Sequence, residues 1–443
     1  MARQRFSIVE YDAPISLVNE IARETGLPLQ RVSDYLQSAG DRTAHVLNFS
    51  SNPISVVGQR MQAVDFAGLL RVGPAIELEV IPKFLGSGST GWREDFFFLA
   101  MLSRHGHLLS HERLRALSTP NADIATLLGR ALVQMYWDEH RRPIRTYRRA
   151  TEHDFVLNGE VEAEDLRIPN ADGFPQTVIR FDRTNNFNGA IKHAAEILSQ
   201  LVRDPEARGS LERIGHLLGT QPSVRTIRPK RLPSRSLSWQ STYELALDVL
   251  QGFGLTYDTG RAFAPGFVLS TWQVWEDLVT ISVRSQLGGR AVAAQKRFHL
   301  GHRRRHGDAS WSNRRAFTVT PDLAIDGSRV GLGKILIDAK YKGRWYQGRQ
   351  RINEADIYEA MAFGRAADAQ TIALVYPKIG GTAEPRTGAT EVFERVEVDG
   401  LDIWGVEADV RGISNSGGLR RFSGGLIDCF RGLHSDPSSS LAS

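Results

Sequence analysis

The sequence lacks several features that define common classes of protein. Its 443 residues include one cysteine, Cys429, so an internal disulfide and a metal site built from several cysteines are both excluded. Residues 1–12 contain no apolar stretch of the kind found in a signal peptide. The longest purely apolar run, residues 96–102, is far shorter than the roughly 20 residues needed to span a bilayer. We therefore expect a reduced, cytoplasmic protein with no membrane partner.

A phosphate-binding loop is also missing. The stretch that comes nearest to the pattern G-x-x-x-x-G-K-[ST] is SRVGLGKI, residues 328–335. Ser328 stands where the pattern has its first glycine, and Ile335 stands where it has serine or threonine. We expect that this chain binds no nucleotide itself, so any nucleotide-driven motor has to be another chain.

What is present is the composition of a soluble globular protein, with 41% apolar and 24% charged residues. At roughly 100–200 residues per domain, this length predicts two or three domains. Alternating apolar and polar runs near the N-terminus indicate strands, interrupted by one predicted helical piece over about 15–38, and helical periodicity prevails after residue 92. The predicted fold class is multi-domain α/β, with a β-rich domain over 1–85, a mainly helical middle region over 86–264, a mixed α/β domain over 265–434 and a disordered tail over 435–443.

The positive charge is concentrated in one segment. The whole chain carries a net charge of +5, but residues 290–315 hold eight bases and one acid, which leaves 47 bases and 49 acids elsewhere. Local basicity of this kind is typical of a surface that binds a polyanion such as DNA, and a solvated basic loop is the alternative. The candidate DNA-binding residues are Lys296, Arg297, Arg303, Arg304, Arg305, Arg314 and Arg315.

Two β-prone runs, 317–325 and 334–341, flank a turn-rich loop over 326–333. This pattern predicts an antiparallel hairpin. If the loop is centred near position 329.5, facing residues have numbers that sum to about 659, which places Asp322 beside Asp338. Because alternate residues of a strand share a face, Asp338 and Lys340 should point the same way.

Carboxylate oxygens in such a cluster suit Mg²⁺, with Mn²⁺ as a second possibility. A lysine beside the metal can position a water molecule or neutralise charge that develops on a phosphate. Glu276 is a third candidate ligand, because it lies within an apolar helical stripe made by Trp272, Trp275 and Val279. A carboxylate on such a face needs a partner. The alternatives are a Glu276 paired with an arginine, and two exposed aspartates with a surface lysine.

At these residues the sequence resembles the PD-(D/E)xK nuclease superfamily: Pro321-Asp322, then Asp338-Ala339-Lys340, with Glu276 on the preceding helix. Within it, the chain resembles the McrC family, the nuclease subunits of McrBC-type restriction systems for modified cytosine. The block AGLLRVGPAIELEVIPKF, residues 67–84, is similar to a McrC segment ending in Leu-x-x-Ile-Pro-Lys, and DIYEAMAFGRA, residues 356–366, resembles the helix that follows the family's catalytic strand. Residues 147–165 and 185–198 fall in the expected order between them.

The resemblance implies an Mg²⁺-dependent endonuclease that works with a McrB-like AAA+ nucleotidase ring. Such a subunit engages the ring through its N-terminal region, stimulates nucleotide turnover and cuts DNA through a restriction-endonuclease-like core. Carried over by position, Glu276, Asp322 and Asp338 would bind Mg²⁺, and Lys340 would position the attacking water. Glu359 departs from the family pattern, which has glutamine there, so it could add a metal contact or weaken a contact with DNA.

Two other functions remain open at the level of the sequence. The chain could be an adaptor that activates an AAA+ ring while its nuclease centre is silent, although all four site residues are present. It could also be a stand-alone PD-(D/E)xK nuclease for repair or transposition, although the McrC-like block over 67–84 speaks against this.

Overall fold

The computed structural model describes residues 4–73, 76–86, 91–105, 124–166, 170–222, 230–252, 267–303, 315–326, 332–346, 349–379 and 386–433. The chain forms two compact units. The first unit contains residues 1–121 and 268–443, and the second contains residues 122–267.

The first unit begins with strands and two helices packed around one apolar cluster, which includes Val18, Leu36, Phe66 and Leu78. The elements are β1 (Gln4–Val9), α1 (Leu17–Thr25), α2 (Leu29–Leu47), β2 (Ile54–Val57), β3 (Arg60–Ala63), β4 (Phe66–Arg71), β5 (Ile76–Ile81) and α3 (Trp92–His105). The sequence predicts one helical piece over about 15–38, and this prediction is wrong. Gly26 ends α1 in the left-handed conformation with φ 68°, and Pro28 precedes α2, so two helices form.

The second unit combines helices with a long hairpin. Its elements are α4 (Ile124–Glu139), β6 (Thr146–Asp154), β7 (Phe174–Asp182), α5 (Asn186–Leu201), α6 (Pro205–Leu218), a 3-10 helix (Ser234–Trp239) and α7 (Gln240–Gly252). Strands β6 and β7 pair antiparallel from Thr146 opposite Asp182 to Asp154 opposite Phe174. Several large apolar side chains of the hairpin and its tip are exposed to solvent: Tyr147, Phe155, Val156, Leu157, Ile179 and Phe181.

The chain then re-enters the first unit. The remaining elements are β8 (Val268–Ser270), α8 (Thr271–Leu287), β9 (Val292–Ala294), β10 (Phe298–Arg303), β11 (Arg315–Val319), β12 (Leu323–Ile325), β13 (Ile335–Ala339), β14 (Arg344–Tyr346), β15 (Arg349–Arg351), α9 (Glu354–Ala367), β16 (Thr371–Pro377), β17 (Thr390–Val398), β18 (Leu401–Ala408) and α10 (Gly418–Gly432). Most of these strands form one six-stranded mixed sheet in the order β17-β18-β16-β13-β12-β9.

This sheet has buried central strands because its residues are apolar on both faces. All seven residues of β16 are buried, as expected for a parallel strand covered on both sides. One face packs against α9 through Phe363, with Leu336, Ile372 and Ile403 in the same cluster. Since alternate residues share a face, Asp338 follows Leu336 toward α9.

Strand β8 joins the N-terminal block to the later part of the chain. It pairs antiparallel with β4, with Phe66 opposite Ser270, and completes a four-stranded sheet in the order β1-β5-β4-β8. Helix α8 starts at the next residue.

The multi-domain α/β class is confirmed, whereas the predicted bounds 1–85, 86–264 and 265–434 stay a prediction. Residues 435–443 lie outside the described ranges. No helix in those ranges is both long enough and apolar enough to cross a membrane.

Candidate active site

The candidate site begins at the hairpin of β12 and β13. Leu323 lies opposite Ile337, so facing residue numbers sum to 660, one more than the sequence predicts. Asp322, which directly precedes β12, therefore lies opposite Asp338. The Oδ2 atom of Asp322 accepts a hydrogen bond of 2.8 Å from the main-chain nitrogen of Ala339. The two aspartates are thus brought together at one end of the hairpin, as expected.

Lys340 lies among three carboxylates. Its Nζ is 2.5 Å from Asp338 Oδ2, 2.7 Å from Glu359 Oε2 and 3.7 Å from Asp356 Oδ1. The short contact with Asp338 confirms that both side chains point to the same face of the strand. Burial by itself lowers the pKa of Lys340, but Asp338 and Glu359 outweigh burial and raise this pKa above its ordinary value. The ammonium group therefore stays charged.

Glu276 reaches the same patch from α8. Its Oε1 accepts a 2.6 Å hydrogen bond from Gln295 Nε2, which also donates to Asp322 Oδ1 at 3.0 Å. Gln295, at the end of β9, holds the two carboxylates side by side, and sequence reasoning missed it because no motif marks a glutamine in this place. It has a left-handed backbone, with φ 49°.

The apolar stripe of α8 differs from the sequence prediction at one position. Trp272 is 44% exposed, and the buried positions are Thr271, Val274, Trp275, Leu278, Val279, Ser282 and Val283. The buried face is therefore rotated away from Trp272, toward Val274 and Leu278. Glu276 consequently lies at the margin of the stripe and is half-buried.

Burial and mutual repulsion make the carboxylates resist ionisation. Burial raises the pKa of Asp338 to about 7; the Lys340 charge opposes this shift and Asp322 adds to it. Burial also raises the pKa of Asp322 to about 6. The hydrogen bond from the main chain of Ala339 opposes this shift, and the nearby Glu276 charge adds to it. The pKa of Glu276 is raised by burial and by Asp277. A cation at this patch would oppose these shifts and stabilise the ionised carboxylates.

The donor chemistry fits a hard divalent cation, since all three candidate ligands offer carboxylate oxygens. Among the described residues, no group of three His, Cys, Asp or Glu side chains is arranged to hold a metal ion as it stands. Asp338 is turned toward Lys340, while Glu276 and Asp322 both accept hydrogen bonds from Gln295. Side-chain rotation would have to bring the oxygens around one point.

The basic segment includes a two-stranded ribbon. Lys296, Arg297, Arg303 and Arg315 are exposed, and Arg303 lies opposite Arg315 in the pairing of β10 with β11. Among the described residues, none of these four bases has a carboxylate partner within ion-pair distance. Arg304, Arg305 and Arg314 fall outside the described residues.

The base of the ribbon packs near the site. Phe298 and Val319 contact the apolar cluster that includes Phe363 of α9, and Gln295, which bridges Glu276 and Asp322, lies three residues before Phe298. The described bases Lys296 and Arg297 therefore follow directly after a residue of the site. This places positive charge beside the carboxylate patch, as the position of the basic segment in the sequence suggests.

A cleft of about 600 Å³ adjoins Lys340. The exposed indole of Trp272 and the amides of Asn48 and Asn353 line it, together with Lys342. A flat aromatic ring beside amide groups can stack on a nucleic-acid base and hydrogen-bond to its edge. The sequence gives no sign of this cleft, because its lining comes from segments far apart in the chain.

The fold and the site define a multi-domain α/β protein with a carboxylate and lysine cluster at the end of a central strand. A family model, the McrBC 5-methylcytosine restriction system component, matches residues 61–377. The chain belongs to this family. No curated protein sequence matches it.

Solved structures give a likeness of fold. A chain from the refined half-complex of the tetradecameric assembly of Thermococcus gammatolerans McrB AAA+ hexamers with bound McrC has a TM-score of 0.66 and 13% identity, over 96% of this chain and 100% of that chain. A chain from the cryo-EM structure of the Thermococcus gammatolerans McrBC complex has a TM-score of 0.44 and 14% identity, over 63% of this chain and 86% of that chain.

Proposed function

We propose that this protein is the DNA-cutting subunit of a McrBC-type restriction system, and that residues 265–434 form a PD-(D/E)xK core. The observation that carries the proposal is the meeting of Asp322, Asp338 and Lys340 at one strand end, with Glu276 and Asp322 bridged by Gln295. The reaction would be hydrolysis of a DNA phosphodiester.

Each residue has a chemical role in this proposal. Glu276, Asp322 and Asp338 would hold Mg²⁺ or Mn²⁺, which supplies neutralising charge at the phosphate and makes a bound water more acidic. Lys340 Nζ would donate a hydrogen bond to the oxygen of the attacking water, once Asp338 turns away toward the metal. Gln295 Nε2 keeps Glu276 and Asp322 adjacent, so both could turn an oxygen toward the same cation.

DNA would approach along the basic ribbon of Lys296, Arg297, Arg303 and Arg315, whose charges lack carboxylate partners among the described residues. Contacts from such residues to phosphates give affinity without reading the sequence. The cleft beside Lys340 would receive a nucleotide next to the cleaved bond, with its base against Trp272.

We further propose a McrB-like AAA+ ring as partner. The similar solved assembly contains McrB AAA+ hexamers with bound McrC, and the resemblance of residues 1–85 suggests that block as the contact. The hairpin of β6 and β7 is a second candidate, because exposed apolar side chains grouped on one element often mark a protein interface.

The test of partner binding compares these two surfaces. Ile179→Ser with Phe181→Ser changes the hairpin. Val57→Ser changes the N-terminal block, where Val57, at 75% exposure, is the most exposed large apolar side chain among the described residues. Loss of co-purification with the AAA+ protein for the hairpin variant alone would place the contact there. Loss for Val57→Ser alone would place it in the block 1–85.

The nuclease is tested by reconstituting the chain with its AAA+ partner and modified DNA. Cleavage should require Mg²⁺ and disappear in Asp338→Ala, while stimulated nucleotide turnover persists. Equal cutting by Asp338→Ala and the wild type would remove the catalytic assignment. Stimulated turnover without any cutting would identify a nuclease-silent adaptor, and cutting without the partner would identify a stand-alone nuclease.

A further inference from the structure

Glu10, directly after β1, is a fully buried carboxylate with a complete set of partners. Its Oε1 accepts a 2.6 Å hydrogen bond from the hydroxyl of Thr271. Its Oε2 accepts from the hydroxyl of Tyr341 and, at 3.5 Å, from the main-chain nitrogen of Lys83. A buried carboxylate with this many donors is held in one position.

Lys83, two residues after the end of β5, contacts Tyr341 from another side. Its Nζ donates a 2.7 Å hydrogen bond to the main-chain oxygen of Tyr341. The ammonium also lies 4.1 Å from the ring centroid of Tyr341 and 4.6 Å from that of Tyr11, distances typical of cation–π contacts. Glu10 therefore contacts the hydroxyl of Tyr341, and Lys83 contacts its main-chain oxygen.

Thr271 and Tyr341, the residues that Glu10 and Lys83 contact, adjoin the candidate site. Thr271 is the first residue of α8, and Glu276 follows five residues later on the same rigid helix. Tyr341 follows Lys340 directly and lies three residues after Asp338. One carboxylate from the N-terminal block thus links the helix that carries Glu276 to the strand that carries Asp338 and Lys340.

The backbone pairing of this strand ends at Lys340. The main-chain nitrogen of Lys340 donates to the oxygen of Val375 at 2.9 Å, which is the last ladder bond beyond β13. After it the chain leaves the sheet, so Tyr341 is fixed by its side chain and by Lys83. A shift of about 1 Å in a reacting group can cost about a hundredfold in rate.

We propose that Glu10 and Lys83 are positioning residues, which set the distance between Glu276 and the Asp338–Lys340 strand through Thr271 and Tyr341. The proposal rests on the nuclease function proposed above. It gives the block 1–85 a part in the nuclease centre, in addition to any contact with a partner.

The test uses small changes that remove single hydroxyl groups in the full chain with its AAA+ partner. Tyr341→Phe and Thr271→Val each remove a hydroxyl bonded to Glu10, whereas Thr271→Ser keeps one. Ser414→Ala is the matched control, because the Ser414 hydroxyl also donates at 2.6 Å to a buried carboxylate, that of Asp95, whose hydrogen bonds come from Gly412 and Ser414. Lys83→Met removes the ammonium and keeps most of the side-chain stem.

Three quantities are measured: the rate of DNA cleavage at saturating DNA, the Mg²⁺ concentration that gives half of that rate, and hydrogen exchange at the amides of residues 339–341 without metal. Tyr341→Phe, Thr271→Val and Lys83→Met should each lower the rate about tenfold or more, raise the half-saturating Mg²⁺ and speed exchange at these amides. Thr271→Ser and Ser414→Ala should match the wild type in all three.

The outcomes separate this inference from the nuclease proposal. If Asp338→Ala abolishes cleavage while Tyr341→Phe and Lys83→Met keep wild-type rates and exchange, the positioning role is wrong and the nuclease stands. If Asp338→Ala still cuts, the nuclease assignment fails, and faster exchange in Tyr341→Phe would then support only a structural link. If Ser414→Ala and Tyr341→Phe lower the cleavage rate equally, the loss reflects general destabilisation and the positioning role is wrong.

Discussion

The main-chain nitrogen of Ala339 donates a hydrogen bond of 2.8 Å to the carboxylate of Asp322. An acid that precedes one strand is therefore tied to the backbone of the neighbouring strand, between Asp338 and Lys340. The bond fixes one oxygen of Asp322 and leaves the other toward Gln295 and Glu276. Asp322 thus acts as the fixed member of the carboxylate patch, whereas the Asp338 side chain pairs with Lys340 alone among the described residues.

Asp338→Asn should change the response of protein stability to Mg²⁺. A ligand that binds only the folded state raises the free energy of unfolding by about 2.7 kcal/mol at a hundred times its dissociation constant. We expect Mg²⁺ to raise the unfolding temperature of the wild type at pH 8, and Asp338→Asn to lose most of this rise. Calorimetry with EDTA as the metal-free reference measures both. An identical rise in the two proteins would place the Mg²⁺ elsewhere.

Glu359→Gln introduces the glutamine that the resemblance to the McrC family leads us to expect at this position. Lys340 is bonded to Glu359 at 2.7 Å, and removing that charge leaves Asp338 as its close partner. We expect cleavage at least equal to that of the wild type, because Lys340 becomes freer to reach a water molecule. Single-turnover rates with saturating Mg²⁺ measure this. A tenfold loss would instead indicate that the Glu359 carboxylate takes part in metal binding.

Trp272→Ala should weaken DNA binding with little effect on folding. The indole is 44% exposed and lines the cleft beside Lys340, and loss of one base stack costs about 1–3 kcal/mol. Trp272→Phe, which keeps an aromatic face, is the control and should retain most of the affinity. Binding is measured by fluorescence anisotropy of labelled DNA on the Asp338→Asn background. Unchanged affinity in Trp272→Ala would remove the stacking role.

Glu10→Gln should alter the dependence of stability on pH. Burial, opposed by hydrogen bonds from Thr271 and Tyr341, raises the pKa of Glu10 from 4.5 to about 7. The folded wild type therefore binds an extra proton between these values. The stability that Glu10 contributes to the wild type is fully present below pH 4.5 and is lost as the pH rises through 7. Because glutamine does not titrate, Glu10→Gln does not lose stability in this way.

The difference in unfolding free energy, variant minus wild type, should therefore grow from pH 5 to pH 7.5, at no more than about 1.4 kcal/mol per pH unit. Urea unfolding in EDTA at four pH values measures it. The range stops short of the pKa of Lys83, which burial lowers to about 8. A difference that stays constant with pH would mean that Glu10 is already ionised at pH 5.

Much of the candidate site could be predicted because its spacing is local. Strand alternation related Asp338 to Lys340, and loop length placed Asp322 within one residue of its observed partner. Helical periodicity selected Glu276, although the buried face of α8 is rotated and Trp272 is exposed. Apolar patterning alone cannot fix the centre of a helix face when an apolar residue such as Trp272 lies at its exposed margin.

The contacts that the sequence did not indicate join distant parts of the chain. Glu10 and Tyr341 are 331 residues apart, and Lys83 and Tyr341 are 258 apart. No periodic pattern relates such positions, and a single acid or lysine at a strand end is equally compatible with solvent exposure. Gln295 is close in sequence to its partners, but glutamine has no motif of its own.

Strand β8 imposes an order on the assembly of this protein. It completes the sheet of β1, β5 and β4, yet the 146 residues of the second unit, 122–267, are synthesised before it. A nascent chain that stops anywhere in those residues leaves the edge of β4 unpaired, and open edges invite pairing with other chains. Thr271, one hydroxyl donor to Glu10, emerges in the same step, and Tyr341, the other, emerges later. A truncated product would therefore have an open sheet edge, and its Glu10 would lack the hydroxyl donors Thr271 and Tyr341.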